Sequence, residues 1–403
     1  MPRKQDYIVG LDIGSSTTRC VVALEEDSRL RFISHGSATV DSAGWEYGAI
    51  SDQDPVLESL EKAIEAAEQN GGLLIEAAVA GVGGPQVESN VSHAAYNLNS
   101  WESEIERKHV DEVVKRAARA PLGEDRTALQ AVPLEFAVDQ QPGVRNPLGM
   151  TGRRLDAHVQ VVSTLAKAHD NICAVVNRAG VVVEETISEA FAGAYAVLEE
   201  QEREMGVAVA DMGADSVELG IYLENDLRLV ASIPVAGNLM AQDVSAVLRT
   251  PREDAQRLIE QYGCVLPDQT SSNATIEAPG LTEGRFRTVP RRLLNEILEA
   301  RAEEMFELIR DRINRAGFGG RLVNGLVLTG SLACLAGACD LAEQVFDADT
   351  RIGLPPRIED LPDELDHPGW ATTLGLVLYA QRLRLHKARK RDKVTEWLKA
   401  LFD

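Results

Sequence analysis

Apolar positions along the chain follow two spacings, and one arrangement of them occurs twice. Residues 7–24 (YIVGLDIGSSTTRCVVAL) predict two strands joined by a turn of small residues. Residues 207–222 (VAVADMGADSVELGIY) repeat that order of apolar run, Asp, apolar residue, Gly, small residues and second apolar run. Asp12 then matches Asp211 and Gly14 matches Gly213, an offset of 199 residues. Two copies half a chain apart indicate a duplicated domain.

Other segments show helical or strand periodicity. Helical spacing of apolar residues predicts helices at 55–69, 109–119, 186–201, 251–263 and 290–316. Apolar runs predict buried strands at 73–82 and 158–166, and a further strand that leads into the LTGS turn at 328–331. The turn-rich stretch QQPGVRNPLGMTGRR indicates a small α+β unit, roughly residues 86–159, inserted into the first lobe.

Length and composition limit the function. A chain of 403 residues favours two lobes. No apolar run approaches the roughly 18 residues of a membrane-spanning helix, and the start MPRKQDYIVGLDIG lacks a signal-peptide core, so we expect a soluble, cytoplasmic protein. A net charge of −22 argues against nucleic-acid binding. The five cysteines form no C-x-x-C pair, and we expect buried free thiols, with Cys20 and Cys173 in strand-like runs.

The C-terminal residues contrast with this acidic body. Residues 382–403 hold eight Lys or Arg and three acidic residues, a net +5, which leaves −27 for residues 1–381. One helical face would carry the apolar residues Val394, Trp397, Leu398, Leu401 and Phe402. Cations surround that face: Lys393, Lys399 and the upstream Arg384, Lys387, Arg389, Lys390 and Arg391. The pattern predicts an amphipathic helix at an anionic membrane surface; the alternative is a terminal helix docked on the body.

The repeated turns are candidates for a nucleotide site between the lobes. Turns of Gly and small hydroxyl residues can present backbone N–H groups to phosphates, although each alone could be an ordinary turn. The predicted contacts are Gly14, Ser15, Ser16 and Thr17 in turn 1, Gly213, Ala214, Asp215 and Ser216 in turn 2, and Gly330 and Ser331 beside the adenosine. Asp12 and Asp211 would hold hydrated Mg²⁺ and orient a water toward the γ-phosphate. The predicted cofactors are ATP or ADP with Mg²⁺.

These three turns are similar to the phosphate 1, phosphate 2 and adenosine motifs of the actin, Hsp70 and sugar-kinase superfamily. The resemblance implies an α/β, two-lobed actin-like ATPase fold of duplicated ribonuclease H-like domains with an inserted α+β subdomain. Residues 233–267 (IPVAGNLMAQDVSAVLRTPREDAQRLIEQYGCVLP) resemble the segment after phosphate 2 in the FtsA family of bacterial cell-division proteins. In that segment Gly237 and Gln256 are further candidates for nucleotide contact, Gln256 where the family often has a ribose-binding Glu.

The chain departs from the family pattern within the turns. Thr17 stands where a Lys is frequent, Ala214, Asp215 and Ser216 replace two glycines and a Thr, and Ser331 replaces a second Gly. A carboxylate at Asp215 would repel phosphates by roughly 1 to 4 kcal/mol at about 4 Å unless a cation offsets it or it points to solvent. We therefore expect ATP to bind as a structural clamp, with weak or no hydrolysis.

The resemblance also implies a division of the chain into six segments. These are 1–85 (first lobe, phosphate 1), 86–159 (inserted subdomain), 160–193 (first lobe), 194–345 (second lobe, with a partner-binding subdomain at 228–303), 346–381 (return to the first lobe) and 382–403 (basic linker and membrane-targeting helix).

The function implied is that of a cell-division protein that tethers FtsZ filaments to the inner face of the cytoplasmic membrane at the division site. It would form head-to-tail filaments through residues 86–159 and bind other division proteins. The C-terminal peptide of FtsZ would bind near Arg285, Arg291, Arg292, Asn295 and Arg301, which could also be a solvated helix face. The alternatives are a PilM-like pilus-assembly protein and, less favoured, a sugar or acid kinase of the same fold.

Overall fold

A computed structural model describes residues 7–46, 48–98, 103–119, 122–282, 284–356 and 358–384 of the chain. The strands are β1 Tyr7–Ile13, β2 Thr17–Glu26, β3 Arg29–Thr39, β4 Trp45–Glu46, β5 Ala49–Ile50, β6 Ala77–Val82, β7 Glu88–Asn97, β8 Ser103–Glu104, β9 Arg126–Val138, β10 Gln141–Val144, β11 Thr151–Gly152, β12 Arg154–Leu165, β13 Val182–Ser188, β14 Val207–Met212, β15 Val217–Leu223, β16 Asp226–Ile233, β17 Thr275–Pro279, β18 Phe286–Pro290, β19 Leu326–Thr329 and β20 Thr350–Ile352. The helices are α1 Gln53–Gly71, α2 Arg107–Arg119, α3 Ala166–Arg178, α4 Glu189–Val197, α5 Glu200–Met205, α6 Gly237–Leu248, α7 Arg252–Tyr262, α8 Arg291–Arg315, α9 Ala338–Phe346 and α10, residues 371–384.

The first lobe is a five-stranded sheet in the order β13-β6-β1-β2-β3. β1 and β2 form an antiparallel hairpin, and β6 runs parallel to β1. α1 buries Val56, Leu60 and Ala63 against this sheet because its apolar residues recur at helical spacing. Asp52 caps its first turn and Gly72 ends it with φ 61°, which a glycine adopts without steric cost.

The second lobe repeats the arrangement. β14 and β15 form an antiparallel hairpin, and β19 runs parallel to β14 as β6 does to β1. Helices α6, α7, α8 and α9 surround a second core that contains Phe306 and Met305 of α8. Each lobe therefore places the end of one hairpin strand, and the Asp on it, at the same relative position.

The inserted subdomain has a core of its own. α2 packs on β7, β9 and β12 around Ile105, Val113, Leu155 and Val159. Its strands continue the sheet of the second lobe in the order β10-β9-β12-β7-β16-β15-β14-β19-β20. β7 and β16 meet at the single residue pair Ala231 and Glu88, and the Ser89 side chain adds hydrogen bonds of 3.0 and 2.7 Å with the Val230 carbonyl and amide.

Several expected elements differ in detail. The single helix predicted for 186–201 is two helices, α4 and α5, because Leu198 is extended (φ −95°, ψ 131°) and Glu199 starts a new helix with a capping box. β20 pairs with β19, so the chain is still in the second lobe at 350–352, beyond the expected boundary at 345. α10 continues past 381, into the segment expected to be a linker.

The five cysteines are free thiols, but they are not all buried. Cys20 and Cys264 are buried, Cys173 and Cys339 are partly buried, and Cys334 is exposed. Cys173 lies on α3 rather than in a strand, because the apolar residues around it follow a helical period.

Candidate functional site

A cleft lies between the two lobes, and both repeated turns face it. From the predicted set it is lined by Asp12, Gly14, Ser15, Ser16, Thr17, Asp211, Gly213, Ala214, Asp215, Ser216, Gly330 and Ser331. The sheet topology explains the meeting, since β1 and β14 both end at the cleft and their turns follow directly.

The glycines in these turns allow close backbone packing. A Cβ at Gly14 would lie 2.8 Å from the Thr17 carbonyl oxygen, and one at Gly213 would lie 3.1 Å from the Ser216 carbonyl oxygen. Gly330 has φ 83° and ψ 175°, a conformation that is essentially restricted to glycine. The turns therefore line the cleft with backbone and small hydroxyl groups.

Besides Asp215, four acidic side chains line the cleft, and two of them, Glu189 and Glu218, are not among the predicted site residues. Asp12 and Asp211 end their strands, Glu189 begins α4, and Glu218 stands opposite Asp211 on β15. Burial raises the pKa of Asp12, against the lowering effect of Arg19 and a hydrogen bond from Thr373. Burial, with the charges of Asp12 and Glu218, raises the pKa of Asp211 to about 7 although Thr372 donates a hydrogen bond to it.

Glu189 and Glu218 differ in their surroundings. Burial raises the pKa of Glu189 well above its usual range, and the charges of Asp12, Glu218 and Asp211 raise it further. Burial also raises the pKa of Glu218, although Ser232, Ser216 and the Gly84 amide donate to it at 2.7, 2.8 and 3.0 Å. Glu218 thus has three donors to hold its charge, whereas Glu189 favours its protonated form.

Arg19 is the only positively charged side chain among the described residues that line the cleft. Its guanidinium lies 3.7 Å from Asp12, donates to Ser331 Oγ at 3.1 Å and sits 5.6 Å from the centre of the Trp370 ring. It therefore links the first-lobe hairpin to the turn after β19 in the second lobe, which the sequence predicts to lie beside the adenosine. Hairpin register could have revealed this residue, because Arg19 is paired with Asp12 across β1 and β2.

Asp215 lines the cleft and is held by the start of α6. Its Oδ1 accepts from Asn238 Nδ2 at 2.5 Å, and the backbone amides of Gly237 and Asn238 donate to the turn carbonyls at 3.3 and 2.7 Å. The partial positive charge of a helix N-terminus favours a carboxylate there. Asp215 is therefore held inside the site and does not point away to solvent.

Two predicted nucleotide contacts are not among the residues that line the cleft. Gly237 lies behind turn 2 and supports it through its amide. Gln256 is exposed on α7 and donates to Glu260 at 3.2 Å. No sequence pattern distinguishes Glu189 from an ordinary acidic residue in the first turn of a helix, so its place in the cleft could not be predicted.

The predicted partner residues surround the start of α8, but most are engaged. Arg291 donates to the Tyr262 carbonyl at 2.8 Å, Arg292 pairs with Asp268 and Glu296, and Arg301 pairs with Asp243 and Glu304. Arg285 is exposed. Asn295 is fully buried and holds the Cys264 amide and Thr270, so it cannot contact a partner on this surface.

The predicted membrane residues Lys393, Val394, Trp397, Leu398, Lys399, Leu401 and Phe402 lie outside the described residues. None of the helices in the described part of the chain is long and apolar enough to cross a membrane.

Comparisons with known proteins agree with this architecture. The family model "Cell division protein FtsA" matches residues 208–375, and the model "SHS2 domain inserted in FTSA" matches residues 84–163. Solved structures with similar folds include the PilM–PilN type IV pilus biogenesis complex (TM-score 0.66, 15% identity, covering 94% of this chain and 99% of that one). They also include MreB5 of Spiroplasma citri bound to ADP (TM-score 0.56, 12% identity, 96% and 99%).

Sequence relatives are closer than these structural neighbours. The cell division protein FtsA of Pseudomonas aeruginosa is 33% identical over 373 residues, 92% of this chain and 88% of the relative. That of Escherichia coli K12 is 29% identical over 407 residues, 98% and 96%. The predicted actin-like ATPase fold with its inserted subdomain is confirmed, and the chain belongs to the FtsA family of cell-division proteins.

Proposed function

We propose that this division protein binds ATP or ADP in the cleft and uses the nucleotide as a clamp between its lobes. One observation carries the proposal: two glycine turns, each beside an Asp at a strand end, face each other across one cleft. The close-packed glycines and the small hydroxyl side chains of the two turns fit a polyphosphate. MreB5, a neighbour in fold, was solved with ADP bound.

The acidic residues fit a divalent cation held mainly through water. Asp12 and Asp211 would hold hydrated Mg²⁺, which supplies positive charge to the phosphates. Arg19 would contribute the protein's own positive charge, since it reaches both Asp12 and Ser331. Asp215 faces the same cleft, and its contact with Asn238 and the N-terminus of α6 offsets part of its negative charge.

Glu189 supports slow hydrolysis rather than rapid turnover. Glu189 lines the cleft and could take a proton from an attacking water, but burial and the neighbouring carboxylates raise its pKa and so disfavour the charged form that accepts a proton. A protonated carboxyl cannot accept that proton. Hydrolysis, where it occurs, therefore becomes faster as the pH rises.

Calorimetry with Mg-ATP tests the nucleotide site. We expect Asp12→Ala to bind at least about tenfold more weakly than the wild type, because it removes the carboxylate nearest Arg19 and the proposed cation. Asp340→Ala, an acidic residue at the first turn of α9, is the control. Equal affinity of wild type and Asp12→Ala would refute the site.

We propose further that the protein is a peripheral tether on the inner face of the cytoplasmic membrane at the division site. Residues 382–403 would supply the contact through their net +5 charge and their apolar pattern. Sedimentation with anionic vesicles compares the full chain with a form that stops at 384. Unchanged binding by the shortened form would contradict this role for the tail.

The proposed partner is the C-terminal peptide of FtsZ, captured beside the β17–β18 hairpin. Arg285 is exposed there, as are Phe286 (63%) and Leu281 (72%), so the surface offers both charge and apolar area. Arg285→Glu with Phe286→Ser should abolish peptide capture and leave ATP binding unchanged. Arg291 is a poor test residue because it holds the Tyr262 carbonyl.

Self-assembly into head-to-tail filaments would use the inserted subdomain, and other division proteins would bind the assembled form. Family membership supports this proposal, and it disfavours the pilus and kinase alternatives, which share only the fold. A fluorescent fusion in dividing cells tests the whole role. We expect a ring at mid-cell; a diffuse or polar signal would contradict it.

A further inference from the structure

A groove lies at the end of the first-lobe sheet opposite the nucleotide cleft. β1 begins at the groove with Tyr7 and reaches the cleft at Asp12. The groove is lined by Tyr7, Val9, Glu65, Glu68, Gln69, Gly72, Leu73, Leu74, Ile75, Glu76, Ala77, Glu184 and Arg384. None of the residues proposed to bind nucleotide or FtsZ peptide lies among them.

The groove is acidic and partly apolar. It presents four glutamates, Glu65 and Glu68 at the end of α1, Glu76 before β6, and Glu184 on β13. Among the described residues that line it, Arg384 is the only cation. Leu74 is 76% exposed beside these acids, while Ile75 is buried beneath them. Such a surface suits a segment that combines basic and apolar side chains.

The last described residue already lies in the groove. Arg384 donates to the Tyr7 carbonyl at 2.8 Å and pairs with the Glu184 carboxylate at 2.9 and 3.1 Å. The described part of the chain therefore ends at the groove. Residues 385–393 follow at once, with five Lys or Arg and a single acid.

We propose that this groove binds the basic segment 385–393 of the same chain when no membrane is present. Charge complementarity favours the contact, and tethering makes it intramolecular, at an effective concentration of about millimolar. Nine residues span up to about 30 Å, so the segment can follow the groove from Arg384 toward Leu74.

Anionic lipid and the acidic groove would then compete for the same cations. This consequence depends on the proposed membrane role, whereas occupation of the groove does not. Release from the groove would make the tail available at a membrane, so the groove would lower the affinity of the free protein for lipid.

Zero-length cross-linking of the full chain with a carbodiimide tests occupation directly. Lysines 387, 390 and 393 should form amide links to Glu65 or Glu76, which mass spectrometry identifies. The yield of these links should fall when the reaction is run at about 1 M salt, where exposed charges are screened within about 3 Å. It should also fall when vesicles of equal parts phosphatidylglycerol and phosphatidylcholine are added before the cross-linker.

Charge reversal tests competition. Glu65→Lys should raise the affinity for those vesicles about two- to fivefold by weakening the groove contact. Glu61 is also exposed, lies one turn earlier on α1 and is outside the groove. Glu61→Lys carries the same charge change and should raise the affinity for vesicles less. This control separates release of the tail from direct attraction of a new lysine to lipid.

The outcomes distinguish the two ideas. Cross-links to the groove without vesicle binding by the wild type would support the groove contact and refute the membrane role. Vesicle binding without such cross-links, and equal affinity of Glu65→Lys and Glu61→Lys, would refute the groove contact. Links found only between isotope-labelled and unlabelled chains would assign the groove to a second copy and overturn the intramolecular proposal.

Discussion

Asp211 is the residue whose titration should be visible in the stability of the whole protein. Its pKa is raised from 3.8 to about 7 by burial and by neighbouring carboxylates. Below pH about 4 the carboxyl is protonated in both folded and unfolded chains, and above about 7 the folded state must hold the charge. The free energy of unfolding therefore decreases as the pH rises from about 4 to about 7, because the unfolded chain loses the Asp211 proton first.

Asp211→Asn should remove this dependence in the nucleotide-free protein. We expect the variant to gain at least about 3 °C more in Tm over the wild type at pH 8 than at pH 5, since a shift of this size is worth a few kcal/mol. Thermal unfolding in matched buffers measures it. A gain that is the same at both pH values would show that the carboxylate is not destabilised in the fold.

Arg19 should determine how well the acidic cleft accepts a polyphosphate. Arg19→Gln leaves five carboxyl groups without the one cation found among the described lining residues, so ATP affinity should fall about tenfold or more. Arg19→Lys should recover part of it. Arg29→Gln, exposed at the start of β3, is the control in calorimetry and should bind as the wild type does.

At the residue scale, the turns that line the cleft could be predicted from the sequence more completely than the charged side chains around them. The glycine turns and both aspartates could be predicted because a duplicated motif marks them twice. Arg19 required the hairpin register as well. Glu189 and Glu218 could not be predicted, because their proximity to Asp12 and Asp211 results from packing between the lobes rather than from any local pattern.

At the scale of elements, the turn after β19 has little room for a side chain at Gly330. Gly330→Ala would place a Cβ 2.3 Å from Asp211 Oδ1 in a backbone conformation essentially restricted to glycine. We expect a loss of more than about 2 kcal/mol in unfolding free energy and weaker ATP binding.

Gly317→Ala is the matched control for this turn. Gly317 has φ 82°, close to that of Gly330, but nothing lies within 4 Å of its Cβ position. Only the conformational cost of about 1 kcal/mol should remain. Denaturant unfolding compares the two, and equal losses would mean that the contact with Asp211 is unimportant.

Helices could be predicted where the spacing of apolar residues continued over several turns. The point at which one helix stops and the next begins was harder to predict. α1, α7 and α8 lie within about two residues of their predicted bounds, because their apolar stripes extend over several turns. The break between α4 and α5 has no Gly or Pro to mark it. It depends on the extended conformation of Leu198, which tertiary packing decides.

On the scale of the whole molecule, the nine-stranded sheet is narrowest at the seam between β7 and β16, where the inserted subdomain meets the second lobe. Ser89→Ala removes both side-chain hydrogen bonds to Val230 and should speed hydrogen exchange at the Val230 amide about tenfold. Ser92→Ala on the same strand is the control. Unchanged exchange in Ser89→Ala would show that the seam does not depend on this side chain.

The same seam has a mechanical consequence. β7 and β12 share ten residue pairs and β15 and β16 share seven, but β7 and β16 share only Ala231 and Glu88. A pull between the insert and the second lobe, across the direction of the strands, would load that pair together with the Ser89 hydrogen bonds and the ion pair of Arg145 with Asp226 (3.5 Å). Leu129 of β9 and Val162 of β12 share a core with Leu227 and Val230 of β16, so the sheet could part there only by opening that core as well.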